Sequence, residues 1–308
     1  MTTLSNMIDE VSMNLSGYTL QQDRATYITA AVTTTTSPSS APTILTLASA
    51  DNLGKGVVEI DEELLWIDNF DRVGNTATIA PYGRGYLGTT AATHAADAKV
   101  TISPTFPRFA IKRAINDTIS AIGSSIFAAN TTTITSNAAV AAFRLPTTGT
   151  TLNIRSVLAV AYQALGASKE WIPIRTYRFD GNANSTAFTS GQTISIYDNI
   201  PSGRTIQVVY STDPVPFTTN ADVFTTQTGL PESCKDLVIL GATYRLLSNL
   251  DPARASMISP QADEVDAKRP YGSSQSITKQ IYALFNQRLN EEIKNQQDKY
   301  PIRIHYSL

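Results

Sequence analysis

The sequence predicts an α+β protein: a discontinuous helical bundle core with two inserted antiparallel β modules and an extended C-terminal tail. Three observations predict it. Apolar residues recur at three- and four-residue spacing in four separated stretches. Between the first and second stretches, and again between the second and third, the spacing changes to strand alternation. After Pro301 the chain alternates once more. On this reading residues 1–24, 104–130 and 228–300 build the helical core. Residues 25–103 form the first β insertion, a small barrel or sandwich. Residues 131–227 form the second, a sandwich with hairpins, and 301–308 are the tail.

The first helix rests on Leu4, Met7, Ile8, Val11 and Leu15, with Thr2 or Thr3 as cap and Gly17 past the end. Residues 33–40, rich in Thr, Ser and Pro, read as a loop. Short strands are expected at 43–47, 56–60, 64–70, 76–79 and 99–102, with a turn at Val73-Gly74-Asn75. Pro107 suits a first helical turn. Behind it Ile111, Ile115, Ile119, Ile122 and Ile126 form one apolar stripe. In the second β region, 192–197 is expected to pair with 205–211 as a protruding hairpin, and 171–179 alternates as one strand. A third helical segment follows Pro231 and carries Cys234, Leu237, Val238, Gly241, Tyr244 and Ser248, with apolar flanks that predict burial. Residues 254–274 read as a polar loop. The last helix carries Ile277, Ile281, Leu284, Phe285, Arg288, Leu289 and Ile293. The first and third segments are too short or too one-sided to be stable alone, so all four are expected to pack as one bundle.

Composition excludes several functions. The chain has 308 residues, 24 Lys+Arg against 26 Asp+Glu, and a formal net charge of -2. A non-specific nucleic-acid binder needs surplus cations to displace counterions from phosphates. A polybasic membrane anchor needs them too. Charged residues are 16 %, below the roughly 25 % of ordinary soluble domains. One cysteine, Cys234, excludes an internal disulfide framework and a Cys-rich zinc site. No stretch approaches the roughly 20 apolar residues of a membrane helix. The start of the chain carries no secretory pattern, so a reducing compartment is expected.

No motif rises to a catalytic site, and no metal or cofactor is expected. Gly83-Arg84-Gly85-Tyr86-Leu87-Gly88 matches the dinucleotide fingerprint in letters. A pyrophosphate site needs a crossover helix opening at the third glycine. Only about ten residues precede the next strand, too few for such a helix, so these read as turn glycines. Asp61-Glu62-Glu63 reads as a solvated turn. His94, three residues from Asp97, reads as a hydrogen-bonded loop histidine. Cys234 sits in a first helical turn, which would lower its pKa, yet without a base nearby it reads as a small buried residue.

The segment from Tyr82 to Val100, with Arg84, Gly85, Tyr86, Gly88-Thr89 and His94, follows a strand containing Glu62-Glu63-Leu64-Leu65-Trp66-Ile67. It resembles an element of tailed-bacteriophage virion proteins. Leu230-Pro231 opening a helix that reaches Gly241-Ala242, after Val208-Val209-Tyr210-Ser211, is similar to the same group. The resemblance is to head-to-tail connector (adaptor, or neck) proteins. It implies a homo-oligomeric ring of about twelve copies beneath the portal, lining the DNA exit channel and presenting a platform for the next neck or tail protein. DNA would pass without specific binding. The protein would be assembled in the host cytoplasm and reside in the virion.

On that reading Ile302, Arg303, Ile304, His305, Tyr306 and Leu308, with the 251–274 loop, are expected to contact the portal. Tyr197, Ile200, Arg204 and Tyr210 are expected to contact a neighbour or the tail. An alternative is a tail-completion or baseplate component. A reading of another class is a carbohydrate-binding or hydrolytic β protein with Trp66 and Trp171 as its platform, although core burial is the expected role of both.

Overall fold

In a computed structural model, which describes residues 2–19, 23–35, 43–137, 139–145, 153–165, 169–248 and 273–301, the chain divides into two compact units. One comprises Ser5–Ile115 and Ile239–Tyr282, the other Met1–Leu4, Asn116–Val238 and Ala283–Leu308. The 251–274 loop lies outside the described residues except at its last two positions, and the tail lies outside them beyond Pro301.

The first unit is built on a six-stranded antiparallel sheet. Its strands are β1 (Arg24–Tyr27), β2 (Ile44–Thr46), β3 (Gly56–Ile60), β4 (Glu63–Asp71), β5 (Thr76–Ile79) and β6 (Lys99–Ile102). They lie in the order β1-β6-β3-β4-β5-β2. The two outer strands also meet. Ile28 bridges Leu47, with Thr29 N donating to Thr46 O at 2.8 Å and Ala48 N to Tyr27 O at 2.8 Å. The sheet therefore closes into a small barrel at Ile28 and Leu47. Its interior is filled by alternate residues such as Val58, Ile60, Leu65, Ile67, Ile79 and Val100. The strand at Arg24–Tyr27 is one that the sequence reading leaves out.

The second unit holds a two-layered sandwich. Its strands are β7 (Ala128–Thr135), β8 (Ala142–Arg144), β9 (Ile154–Gln163), β10 (Trp171–Pro173), β11 (Tyr177–Asp180), β12 (Thr193–Ile196) and β13 (Thr205–Thr212). One sheet has the order β10-β9-β13-β7 and the other β11-β12-β8. Ile194 from one layer and Ile206, Val208 and Tyr210 from the other share one core.

This corrects two strand expectations. The 192–197 and 205–211 segments do not form a hairpin. β12 pairs with β11 and β8, whereas β13 pairs with β7 and β9. The link between them arches from one layer to the other. It is pinned at Ser136, whose hydroxyl donates to Pro201 O at 2.6 Å and accepts from Arg204 N at 3.0 Å. Two apolar rows bury more surface facing each other across a core than side by side on one face. The 171–179 stretch likewise breaks in two, at buried Ile174, and serves both layers.

Among the described residues there are also five α-helices: α1 (Leu4–Thr19), α2 (Arg108–Ile122), α3 (Phe224–Thr228), α4 (Lys235–Ser248) and α5 (Ser273–Lys299). The expected stripes are buried: Leu4, Met7, Ile8, Val11 and Leu15 on α1, and Ile111, Ile115, Ile119 and Ile122 on α2. α4 is buried on several sides, through Leu237, Val238, Ile239, Ala242 and Leu247. α5 buries Ile281 and Phe285 but exposes Leu284, and its buried line continues into Glu292. Before α1, Thr3 bridges Val223, with Phe224 N donating to Thr2 O at 2.9 Å.

Candidate functional site

Among the described residues, the densest cluster of charged and hydrogen-bonding side chains lies in the barrel, around Glu63. Glu63 opens β4 and shares its parity with Leu65 and Ile67, so its side chain enters the protein with theirs. It is 1 % exposed. A buried carboxylate needs partners, because desolvation of an unpaired charge is prohibitive. Arg84 supplies a two-pronged one: Nε donates to Oε1 at 2.6 Å and Nη2 to Oε2 at 2.8 Å. The amides of Gly85 and Ala92 each add a bond at 2.9 Å. His94 Nε2 lies 2.9 Å from Oε2, and its Nδ1 lies 2.7 Å from Asp61 Oδ2.

Burial alone would raise the pKa of Glu63. The bonds from Arg84, His94, Ala92 and Gly85 outweigh it and bring the value down to about 2. For His94, burial favours the neutral ring, but Glu63 and Asp61 raise its pKa above the ordinary value. The remaining Arg84 donors reach Thr34 O at 2.7 Å and Ala92 O. Thr89 adds a further tie: its hydroxyl accepts from Leu64 N at 3.1 Å and donates to Tyr86 O at 2.9 Å.

These bonds hold the 82–94 loop in an otherwise costly shape. Tyr82, Gly85, Leu87 and Gly88 all have φ between 55° and 83°. A Cβ at Gly83 would lie 2.8 Å from Ala80 O and Trp66 O, so only glycine fits there. The loop presents Tyr82 and Leu87 to solvent and sets the Tyr86 ring 5.2 Å from that of Trp66. The glycines are turn glycines, as their spacing from the next strand predicts.

Chemically the cluster is a clasp. Glu63 accepts from five groups and both His94 nitrogens face carboxylates, so these groups hold one another. The expected solvated turn is corrected at Glu63, although Asp61 itself is exposed. His94 is a bonded loop histidine, and its partners are Asp61 and Glu63. Among the described residues no group of three or more His, Cys, Asp or Glu is arranged to hold a metal ion. No helix among them is long and apolar enough to cross a membrane.

A second buried carboxylate, Glu59 on β3, accepts from Arg108 N at 2.5 Å and so satisfies the first turn of α2. Burial dominates here and raises its pKa to about 7 despite that bond. In the other unit Glu292 of α5 meets the start of α4. Ser233 Oγ donates to it at 3.0 Å, Cys234 Sγ lies 3.7 Å away, and Arg288 Nη2 donates to its other oxygen at 3.0 Å. Cys234 is buried, and burial together with the Glu292 charge pushes its thiol up to about 12. The lowering expected from a first helical turn is overridden.

The expected contact residues separate. Tyr197 is 61 % exposed, Arg204 is half-buried, and Ile200 packs against the sandwich core. Tyr210 is 4 % exposed and belongs to that core; it presents no surface to a partner, which corrects its assignment. Ile302, Arg303, Ile304, His305, Tyr306 and Leu308 lie outside the described residues. Trp66 and Trp171, expected in cores, are 37 % and 40 % exposed.

No curated protein matches the chain. A family model described as SU10 adaptor protein matches residues 87–304, more than half of the sequence, from within the clasped loop to the tail. The chain therefore belongs to the SU10 adaptor protein family.

Proposed function

We propose that this phage structural adaptor, a virion component, forms a ring of about twelve copies beneath the portal. The ring lines the path of the exiting genome and offers a platform to the next neck or tail protein. The observation that carries this reading is the family match over 87–304. A net charge of -2 supports a conduit that does not grip DNA. The protein folds and assembles in the host cytoplasm and is carried in the virion.

Residues 302–308 make the portal contact, through Ile302, Arg303, Ile304, His305, Tyr306 and Leu308, aided by the 251–274 loop. Tyr197, with Arg204 and Ile200 on the same arch, faces a neighbour or the tail.

Native mass spectrometry of assembled rings, with symmetry counted in negative stain, tests the reading. Twelvefold rings that bind isolated portals are expected. Threefold or sixfold assemblies indicate a tail-completion or baseplate role instead. A chain ending at Pro301 should fold yet fail to attach to portals; attachment at the full-length level removes the tail from the contact.

A further inference from the structure

The clasp fixes a loop whose tip is apolar and costly to hold. Tyr82 and Leu87 are 73 % and 69 % exposed, and both keep a left-handed backbone, at φ 58° and 55°. That conformation costs energy in bulky residues, and water returns nothing for large apolar side chains held out in it. Tyr86 belongs to the same tip and is braced by the Trp66 ring. The one charge of residues 82–88, on Arg84, is turned inward to Glu63. The tip is therefore rigid, partly aromatic and uncharged. Those are the features of a binding hot spot, with the cost of ordering already met in the free subunit.

The sandwich unit holds a hollow of matching character. A groove of about 460 Å³ is walled by Phe127, Leu158, Tyr177, Ile293 and Tyr300, with Gln297 of α5 beside them. No residue lining it is charged. A cavity of about 150 Å³ already holds one benzene ring, so this groove has room for the Leu87 side chain and a tyrosine ring together.

We propose that the 82–88 tip of one copy of this chain inserts, Leu87 first, into the Phe127–Tyr177 groove of a second copy. Tip and groove match in size and in lacking charge, so contact strands no buried charge without a partner. Each chain carries both, built from different residues, so a copy whose tip is engaged still has a groove to offer. Such a head-to-tail contact repeats from copy to copy and can close into a ring. A tyrosine buries about 150–250 Å² of the roughly 800 Å² that each partner gives to a stable interface, so the tip is the anchor of a wider contact. The inference rests on the proposed ring, for which it names the contact between neighbours. It does not rest on the number of copies or on the portal.

Native mass spectrometry of the isolated full-length protein, over a concentration series, tests it with Leu87→Asp on the tip and Leu158→Asp in the groove. Aspartate tolerates an exposed left-handed position, so Leu87→Asp should fold; circular dichroism checks both variants. If Leu158→Asp fails to fold, Gln297→Lys, at an exposed position of α5, takes its place. The wild type should self-associate, and each variant alone should do so at least about thirtyfold more weakly. Leu87→Asp keeps an intact groove and Leu158→Asp an intact tip. Their equimolar mixture should therefore give mixed 1:1 dimers and nothing larger. Association of either variant alone at wild-type strength overturns the proposal and leaves the ring standing. A mixture without mixed dimers overturns it in the same way. A wild type that stays monomeric throughout overturns it together with the ring. Mixed dimers beside wild-type rings that are not twelvefold support the contact and remove only the twelvefold reading.

Discussion

Arg84 and Glu63 face each other through two parallel hydrogen bonds, at 2.6 and 2.8 Å, with both side chains buried. The pair joins the start of β4 to the loop that follows β5. Removing one partner leaves an uncompensated buried charge. Glu63→Ala and Arg84→Ala should each destabilise the barrel by about 3–5 kcal/mol. Arg84→Lys should be nearly as damaging, because an ammonium cannot make the two-pronged contact. Denaturant unfolding, followed through Trp66 fluorescence, measures this. A shift below about 1 kcal/mol for Glu63→Ala would show that the clasp does not hold the loop.

The same cluster sets a pH dependence. Glu63 has a folded pKa of about 2, below the ordinary 4.5. Its contribution is fully present above about 4.5 and is lost as pH falls toward 2. His94 has a raised folded pKa. Its contribution is fully present below about 6.5 and is lost as pH rises through the folded value. Glu59 is raised to about 7; the unfolded chain releases that proton first, so stability also declines from about 4.5 to 7. That part is on the order of 3 kcal/mol. Stability should peak near pH 4.5–5. Denaturant midpoints against pH should lose the decline between 4.5 and 7 in Glu59→Gln, and the decline above 6.5 in His94→Asn. A wild-type midpoint that rises from pH 5 to 8 would contradict both signs.

Cys234 should be inert in the native protein. Its thiol, near 12, holds almost no thiolate at pH 8. Alkylation by iodoacetamide should be at least a hundredfold slower than in denaturant. Glu292→Gln removes the nearby charge and should speed it, with burial still limiting the rate. Labelling of the native wild type at the denatured rate would refute the buried environment.

Five of the six barrel strands are legible in the sequence because alternation and turn residues are local signals; β1 at Arg24–Tyr27 is the exception. The clasp was not, because its partners lie 21 and 31 residues from Glu63. Three adjacent acids look like a solvated turn until parity is applied. Glu63 falls in step with Leu65 and Ile67, and that was the available signal. For Cys234 the decisive neighbour, Glu292, is 58 residues away on another helix, so helix position alone misjudges its thiol. The hairpin expectation failed for a related reason. Nearness in sequence favours pairing 192–197 with 205–211, but Ser136, 65 residues before Pro201, holds the link across two layers. Helical stripes needed no such distant knowledge, and Leu4 through Leu15 and Ile111 through Ile122 are buried as their spacing predicts.

The arch between β12 and β13 makes a pair of tyrosines diverge. The sequence expectation groups Tyr197 and Tyr210 in one contact surface, yet one is exposed and the other is core. Tyr210→Ala opens a cavity among Ile194, Ile206 and Val208 and should cost about 3–5 kcal/mol. Its effect on assembly would therefore report folding. Tyr197→Ala should change stability by less than about 0.5 kcal/mol, so a loss of tail joining there reports contact. Thermal unfolding of both variants, beside tail joining in a reconstituted particle, separates the two roles. A Tyr197→Ala protein that folds normally and joins tails at the wild-type level would remove the arch from the contact surface.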